Sequence, residues 1–246
     1  MQYDRLIKRN RLTGVGIEYN AISWRPRFFA LESKRIDNGY FSAYYQYKRN
    51  ELSTLSFPSE GFYADFKTEL IFNQKPFLEE IRPESSVEQF GGTGLGEYFR
   101  IQWRIESYHP INKRMSWFLN SSGGVNFTTT EALFNFWNIG GQNQLFRNQI
   151  TFAGFREYAL QSNGFGMLRL GVQRQIASRF FLLGKINAGA SGLERVAVDF
   201  NEALIFAWGS SATLGYRSPI GPVDLSLNYN ITTNSWIGLL NLGWWF

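Results

Sequence analysis

The sequence predicts a transmembrane antiparallel β-barrel, and three observations carry that prediction. Apolar and polar residues alternate with period two along most of the chain, the pattern of strands with one apolar and one polar face. The connections between these segments are short and long in turn, as periplasmic turns and extracellular loops are. The 246 residues are 44% hydrophobic and 17% aromatic, yet mean hydropathy is only −0.25. No run of about 20 apolar residues is present to form a transmembrane helix. A closed barrel needs none, because its strands satisfy their backbone groups on one another and keep a polar interior.

Taken in order, residues 1–11 are expected to be a lead-in and residues 12–246 a single barrel domain. Met1 to Arg11 is polar and basic and lacks the apolar core of a signal peptide, so the chain reads as a fragment or mature form of an exported protein. Ten strands are expected near 12–23, 39–52, 62–74, 98–109, 114–128, 165–176, 178–190, 203–217, 222–231 and 235–246. The clearest runs from Phe99 to Glu106: Phe99, Ile101, Trp103 and Ile105 share one face, and Arg100, Gln102, Arg104 and Glu106 the other. Asp65, Lys67 and Glu69 oppose Ala64, Phe66 and Leu70 in the same manner, as Asp224, Ser226, Asn228 and Asn230 oppose Val223, Leu225, Leu227 and Tyr229. Tight turns fall at Asn112-Lys113, at Ala177-Ser178 and from Ser218 to Pro222, whereas 75–97, 129–164 and 191–202 are long. Aromatics such as Tyr40, Tyr44, Tyr45, Trp103, Trp117, Trp208 and Trp236 sit near strand ends, where girdles at the headgroup level are expected.

Several function classes are excluded by composition. There is no cysteine, hence no disulfide framework and no thiolate metal site. The one histidine, His109, precedes a proline at a strand end and reads as an interfacial or turn residue. The 25 Lys and Arg give a net charge of +5 but are scattered, so no nucleic-acid partner is expected. Glu79, Glu80 and Glu84 read as solvated loop acids, and Gly91 to Gly96 as a flexible loop lacking the lysine of a phosphate-binding motif. No catalytic residue, metal or cofactor is expected, and the inward charges read as hydrating or plugging the barrel interior.

Three motifs in sequence order, with the chain's last residue, resemble the barrel of the Omp85 (bacterial surface antigen, D15) superfamily. Phe57-Pro58-Ser59-Glu60-Gly61 is similar to a Phe-Pro-Thr-x-Gly turn of the family; proline presets φ and glycine takes positive φ, so a tight turn is expected. Phe152-Ala153-Gly154-Phe155-Arg156, in a long loop, aligns with the family's Val-Arg-Gly-Phe motif. Ser218-Pro219-Ile220-Gly221-Pro222 resembles its Ser-Pro-Leu-Gly-Pro turn, and Trp244 and Phe246 resemble the terminal signal read by barrel-assembly machinery. The resemblance implies that the ten strands correspond to the last ten of the family's sixteen, the C-terminal part of a sixteen-stranded barrel.

Departures from the family pattern bear on function. The motif's arginine, which reaches an acidic residue on the barrel wall, is replaced by Ala153, and Leu168 to Gln173 offers no carboxylate. Arg156 is the expected substitute, with Asp65, Glu69 or Glu106 as its partner. Asn138 to Gly141 and Gln149 to Phe155 look like the barrel of patatin-like phospholipases from Bacteroidetes-type bacteria, in which a lipase domain precedes the barrel. The lipase elbow Gly-x-Ser-x-Gly is absent here, so the chain is expected to be non-catalytic. The expected role is that of an outer-membrane anchor or secretion module for an upstream periplasmic or lipase domain, with outer-membrane lipids and the barrel-assembly machinery as partners. The alternatives are a translocation or assembly pore and a small porin or adhesin.

Overall fold

A computed structural model describes residues 2–8, 10–24, 33–80, 96–128, 135–142, 147–196 and 204–243. The chain runs β1 (Gln2–Lys8), β2 (Arg11–Trp24), β3 (Ser33–Asn50), β4 (Gly61–Glu80), β5 (Tyr98–Asn112) and β6 (Met115–Phe127). Three short strands follow: β7 (Trp137–Ile139), β8 (Gln149–Ile150) and β9 (Leu160–Ser162). The long strands resume with β10 (Gly164–Ala177) and β11 (Phe180–Ser191), then the one-turn α1 (Leu193–Val196), β12 (Ile205–Ser218), β13 (Gly221–Asn230) and β14 (Ser235–Leu242). All ten expected long strands are present, several longer than expected. An eleventh, β1, lies in the stretch expected as a lead-in and pairs with β2 from Gln2↔Gly16 to Lys8↔Arg11. Its alternation is broken where Leu6 adjoins Ile7, which explains why periodicity alone does not single it out.

The eleven long strands form one antiparallel sheet in the order β1-β2-β3-β4-β5-β6-β10-β11-β12-β13-β14. Every neighbour is next in sequence except β6 and β10, between which the chain makes the excursion that holds β7, β8 and β9. The hairpins β5–β6, β10–β11 and β12–β13 turn in two residues each, as the sequence leads one to expect.

Burial along these strands is inverted relative to a water-soluble protein. On β10, Leu168 and Leu170 are 58% and 50% exposed, and on β13 Leu225 and Leu227 are 57% and 53% exposed. Between them, Ser226 and Asn228 are almost fully buried, as are Glu69 and Arg100 on β4 and β5. Charged residues are rarely buried unless paired, and a contiguous apolar outer surface is not stable in water. Both facts are accounted for when the apolar face meets lipid and the polar face lines a lumen. No helix among the described residues is long and apolar enough to cross a membrane; the strands do so.

Glycines on both faces let aromatic rings lie flat across neighbouring strands. On the outer face the ring of Trp103 covers Gly123, where an added Cβ would come within 2.3 Å of it. On the inner face Trp137 covers Gly124 in the same way, at 2.1 Å. A larger residue at either position would have to displace an indole.

Candidate functional site

The excursion between β6 and β10 folds back into the lumen. Its strands form a separate small sheet in which β7 lies between β8, which is parallel to it, and β9, which is antiparallel. Trp137, Ile139, Ile150 and Phe152 from this segment pack with Phe165 and Met167 of β10 and Ala207 of β12 into an apolar cluster. Phe152 meets Phe155 and Phe165 edge-on, with ring centroids 5.0 and 5.8 Å apart. This cluster is the desolvated core of an otherwise polar interior, and it fixes the loop against one wall.

Polar contacts tie the same loop to the opposite wall. Arg147 donates to Glu18 of β2 at 2.7 Å and to Asn20 at 3.0 Å, and it also pairs with Glu69 of β4. Lys67 bridges Glu18 at 2.9 Å and Glu69 at 3.0 Å, so the buried Glu69 and the half-buried Glu18 face two cations from different segments. Arg100 of β5 stacks over the Trp137 ring at 3.9 Å and donates to Asn148 at 2.8 Å. Asn135 accepts from the Tyr40 hydroxyl at 3.0 Å. Buried charges of this kind are tolerated when paired: Glu69 meets Lys67 and Arg147, and Arg100 lies 3.9 Å from Glu69.

At its other end the loop meets β11, β12 and β13. Gln142 donates to Asn228 at 2.6 Å and accepts from Ser226 at 2.9 Å. Asn187 donates to the Ala153 carbonyl at 3.0 Å. Gly154, at φ +95°, sits so close to β13 that an added Cβ would come within 2.7 Å of the Tyr229 carbonyl. The Phe-Ala-Gly-Phe segment is therefore the tip that presses on the wall, and glycine is required there for both its φ and its bulk.

The expected lock is corrected in one partner. Arg156 is exposed beside the tip and its carbonyl closes a turn with Ala159. Arg147, nine residues earlier in the loop, makes the ion pairs instead, and on the β2–β4 side of the barrel. Of the three acids expected to serve, Glu69 does so; Asp65 accepts from Gln46 and Tyr63, and Glu106 pairs with Arg104 at 2.6 Å.

The turn that carries Phe57, Pro58 and Gly61 is also different from the expected tight hairpin. It occupies residues 51–60 and reaches across the short-turn end of the lumen. Phe57, at φ +53°, lies flat on Phe181 of β11 with centroids 4.6 Å apart, and its ring occupies the space beside Gly215 of β12. Gln173 of β10 donates to the carbonyls of Phe57 and Pro58 at 3.3 and 3.2 Å, and Arg217 of β12 donates to that of Ser56 at 2.8 Å. Gly61, at φ +116°, starts β4 where any side chain would strike the Glu51 carbonyl. At the base of the turn a hydrogen bond from Arg49, with Arg11 also nearby, holds the Glu51 carboxyl below its ordinary range.

Pro219 and Ile220 form the two-residue β12–β13 turn, flanked by Ser218 and by Gly221 and Pro222: the Ser218 hydroxyl donates to the Gly221 carbonyl, and Gly221 takes φ +124°. Trp244 and Phe246 lie outside the described residues, as do the side chains of Glu79, Glu80 and Glu84 and the stretch 91–95. Among the described residues no group of three His, Cys, Asp or Glu converges as a metal site would require.

Between the inserted loop and the turn lies a chamber of about 290 Å³, room for several waters. Gln142, Gln149 and Thr151 bound it on the loop side and Leu55, Ser56 and Phe57 on the turn side; Arg104, Glu106, Arg169, Lys185 and Asp224 project from the walls.

A family model described as the OMP85 superfamily matches residues 2–246. The chain belongs to the OMP85 superfamily. Among solved structures it is similar to BamA from Haemophilus ducreyi lacking POTRA domains 1–3, with a TM-score of 0.61 at 15% identity. That similarity covers 97% of this chain and 52% of the BamA chain, so the present chain spans about half its length. At this identity the likeness shows the fold. A comparison with curated protein sequences finds no match. For an OMP85 barrel, the sequence reading missed Arg147 because it lies outside the loop motif. Its one signal is that of a lone arginine within a polar segment, Gln142 to Gln149, otherwise rich in amides.

Proposed function

We propose that this OMP85 barrel is a bacterial outer-membrane anchor or secretion module whose lumen is closed at rest, holding a linked periplasmic or lipase domain of the patatin-like kind at the membrane and performing no catalysis itself. The carrying observation is the loop that spans the lumen, from Arg147 on Glu18 and Glu69 to Gln142 on Ser226 and Asn228. The docked turn at Phe57 supports the reading by narrowing the other end. Outer-membrane lipids, through the exposed apolar belt, and the barrel-assembly machinery, during insertion, are its expected partners.

Two measurements test this reading. A soluble reporter fused ahead of the chain should fractionate with outer membranes, and proteoliposomes carrying the barrel should swell in small sugars no faster than empty ones. A reporter found free in the periplasm removes the anchor role, and fast swelling removes the closed lumen. Membership of the OMP85 superfamily favours a second reading, a translocation or assembly pore in which the loop is displaced during transport. An upstream lipase elbow favours the anchor; upstream POTRA repeats favour the pore.

A further inference from the structure

The short-turn end of the barrel carries an unbalanced charge. In sheet order β5, β6, β10 and β11 are consecutive, so the turns of the β5–β6 and β10–β11 hairpins lie side by side. The register places Arg174 opposite Met115, and the Gln175 amide donates to the Arg114 carbonyl at 2.7 Å. Lys113, Arg114, Arg174 and Arg179 are thereby gathered on one stretch of rim, and all four are exposed. No acidic residue occurs from 107 to 130 or from 158 to 193, so neither turn, nor the strand ends beside it, contains a carboxylate.

The apolar residues around this patch define its level in the membrane. On β10 the outward row is Leu168, Leu170 and Val172, then Arg174 and Ile176, so the cation enters the lipid-facing row one step before the strand's end. Trp117 and Phe180 are exposed on the neighbouring strands, and His109 stacks on Trp117 at 4.4 Å. Aromatic rings at the boundary mark the headgroup level, and Ile111 and Ile176 are exposed beside the cations. In a barrel the short turns face the periplasm. Four exposed cations at this level, with no acid in either turn to offset them, attract anionic headgroups, each adding to the attraction. An acidic soluble protein would meet a rim in which the cations alternate with apolar groups suited to acyl chains.

We propose that Lys113, Arg114, Arg174 and Arg179 form a binding site for anionic phospholipid headgroups in the periplasmic leaflet, which fixes the depth and orientation of this side of the barrel. The proposal rests on the membrane-spanning reading of the strands and not on the anchor role.

The test uses the full chain in a zwitterionic detergent, given equimolar phosphatidylglycerol and phosphatidylcholine. The lipid retained after desalting is quantified by mass spectrometry. The wild-type protein should retain phosphatidylglycerol in several-fold excess at low salt, and the excess should shrink as salt is raised. The quadruple variant K113Q/R114Q/R174Q/R179Q should retain the two lipids nearly equally while keeping its heat-modifiable migration, the sign of a folded barrel. If that variant fails to fold, the double variant R174Q/R179Q should lower the excess partway. No excess in the wild-type protein, or an excess that the folded variants leave unchanged, overturns the proposal. Displacement of phosphatidylglycerol by a soluble polyglutamate peptide, and not by neutral peptide, would assign the rim to an acidic polypeptide and overturn the lipid assignment.

Discussion

Arg147, in the loop between β6 and β10, donates to Glu18 of β2 across the lumen at 2.7 Å. Gln142, in the same loop, bonds to Asn228 of β13, close to the other edge of the eleven-stranded sheet. The loop therefore spans nearly the full set of strands from inside, and the curvature of the sheet is matched to it. This relationship links the unusual burial of Glu69 and Arg100 to the closed-lumen reading.

Replacing Arg147 should loosen that span. Arg147→Gln leaves Glu18 and Glu69 to Lys67 and removes charge-assisted hydrogen bonds, costing about 1–3 kcal/mol of loop docking. Arg147 is itself partly exposed, so solvent screening places the cost toward the lower end. Planar bilayers should record brief channel openings for the variant where the wild-type protein stays closed. Arg156→Gln should leave the traces unchanged, because the Arg156 side chain is exposed.

Gly154→Ala should unseat the tip of the loop. The position combines a left-handed φ with an approach of 2.7 Å to the Tyr229 carbonyl, so a methyl group is both strained and obstructed. The expected loss is more than about 1 kcal/mol, read as a lower unfolding midpoint in detergent. Gly238→Ala, in open space on β14, is the matched control and should shift it little.

Much of the fold was legible in the sequence because a barrel strand is specified locally. Phe99 to Glu106 announces its two faces by alternation alone, and the structure places Arg100 and Glu106 inside and Phe99 and Ile105 outside. The inserted loop and the turn were less legible because their partners are remote. Nothing near Phe57 reveals that Gln173, 116 residues on, will bond its carbonyl. Glu69 could be named as a partner because an inward acid must be paired; which arginine reaches it depends on the path of the loop, and the aligned motif pointed to Arg156 instead of Arg147.

Phe57→Ala should open the short-turn end of the chamber. It removes the stacked pair with Phe181, worth about 0.5–1.5 kcal/mol beyond area burial, and leaves the Gly215 cleft unfilled. Faster labelling of a cysteine placed at Ser122, in the chamber wall, by a periplasmic thiol reagent checks it. Equal labelling in both proteins would mean that the turn does not restrict access.

Ile101→Arg tests the lipid face. Ile101 belongs to the outward row of β5 with Phe99 and Ile105, and an arginine there should cost roughly 2–4 kcal/mol if it lies near the bilayer midplane. Reversible folding into lipid vesicles measures the difference. An unchanged folding free energy would take this row out of the hydrocarbon.

The closed lumen itself is tested most directly by crosslinking across it. The chain contains no cysteine, so the pair Q142C/N228C reports only on its own separation. In native outer membranes a short bis-maleimide should join the two thiols through two thioethers, giving a looped product of altered mobility, as expected for side chains that hydrogen-bond at 2.6 Å in the native protein. If both thiols react with a monofunctional maleimide yet no looped product forms, the loop does not reach that wall, and the closed-lumen account is contradicted.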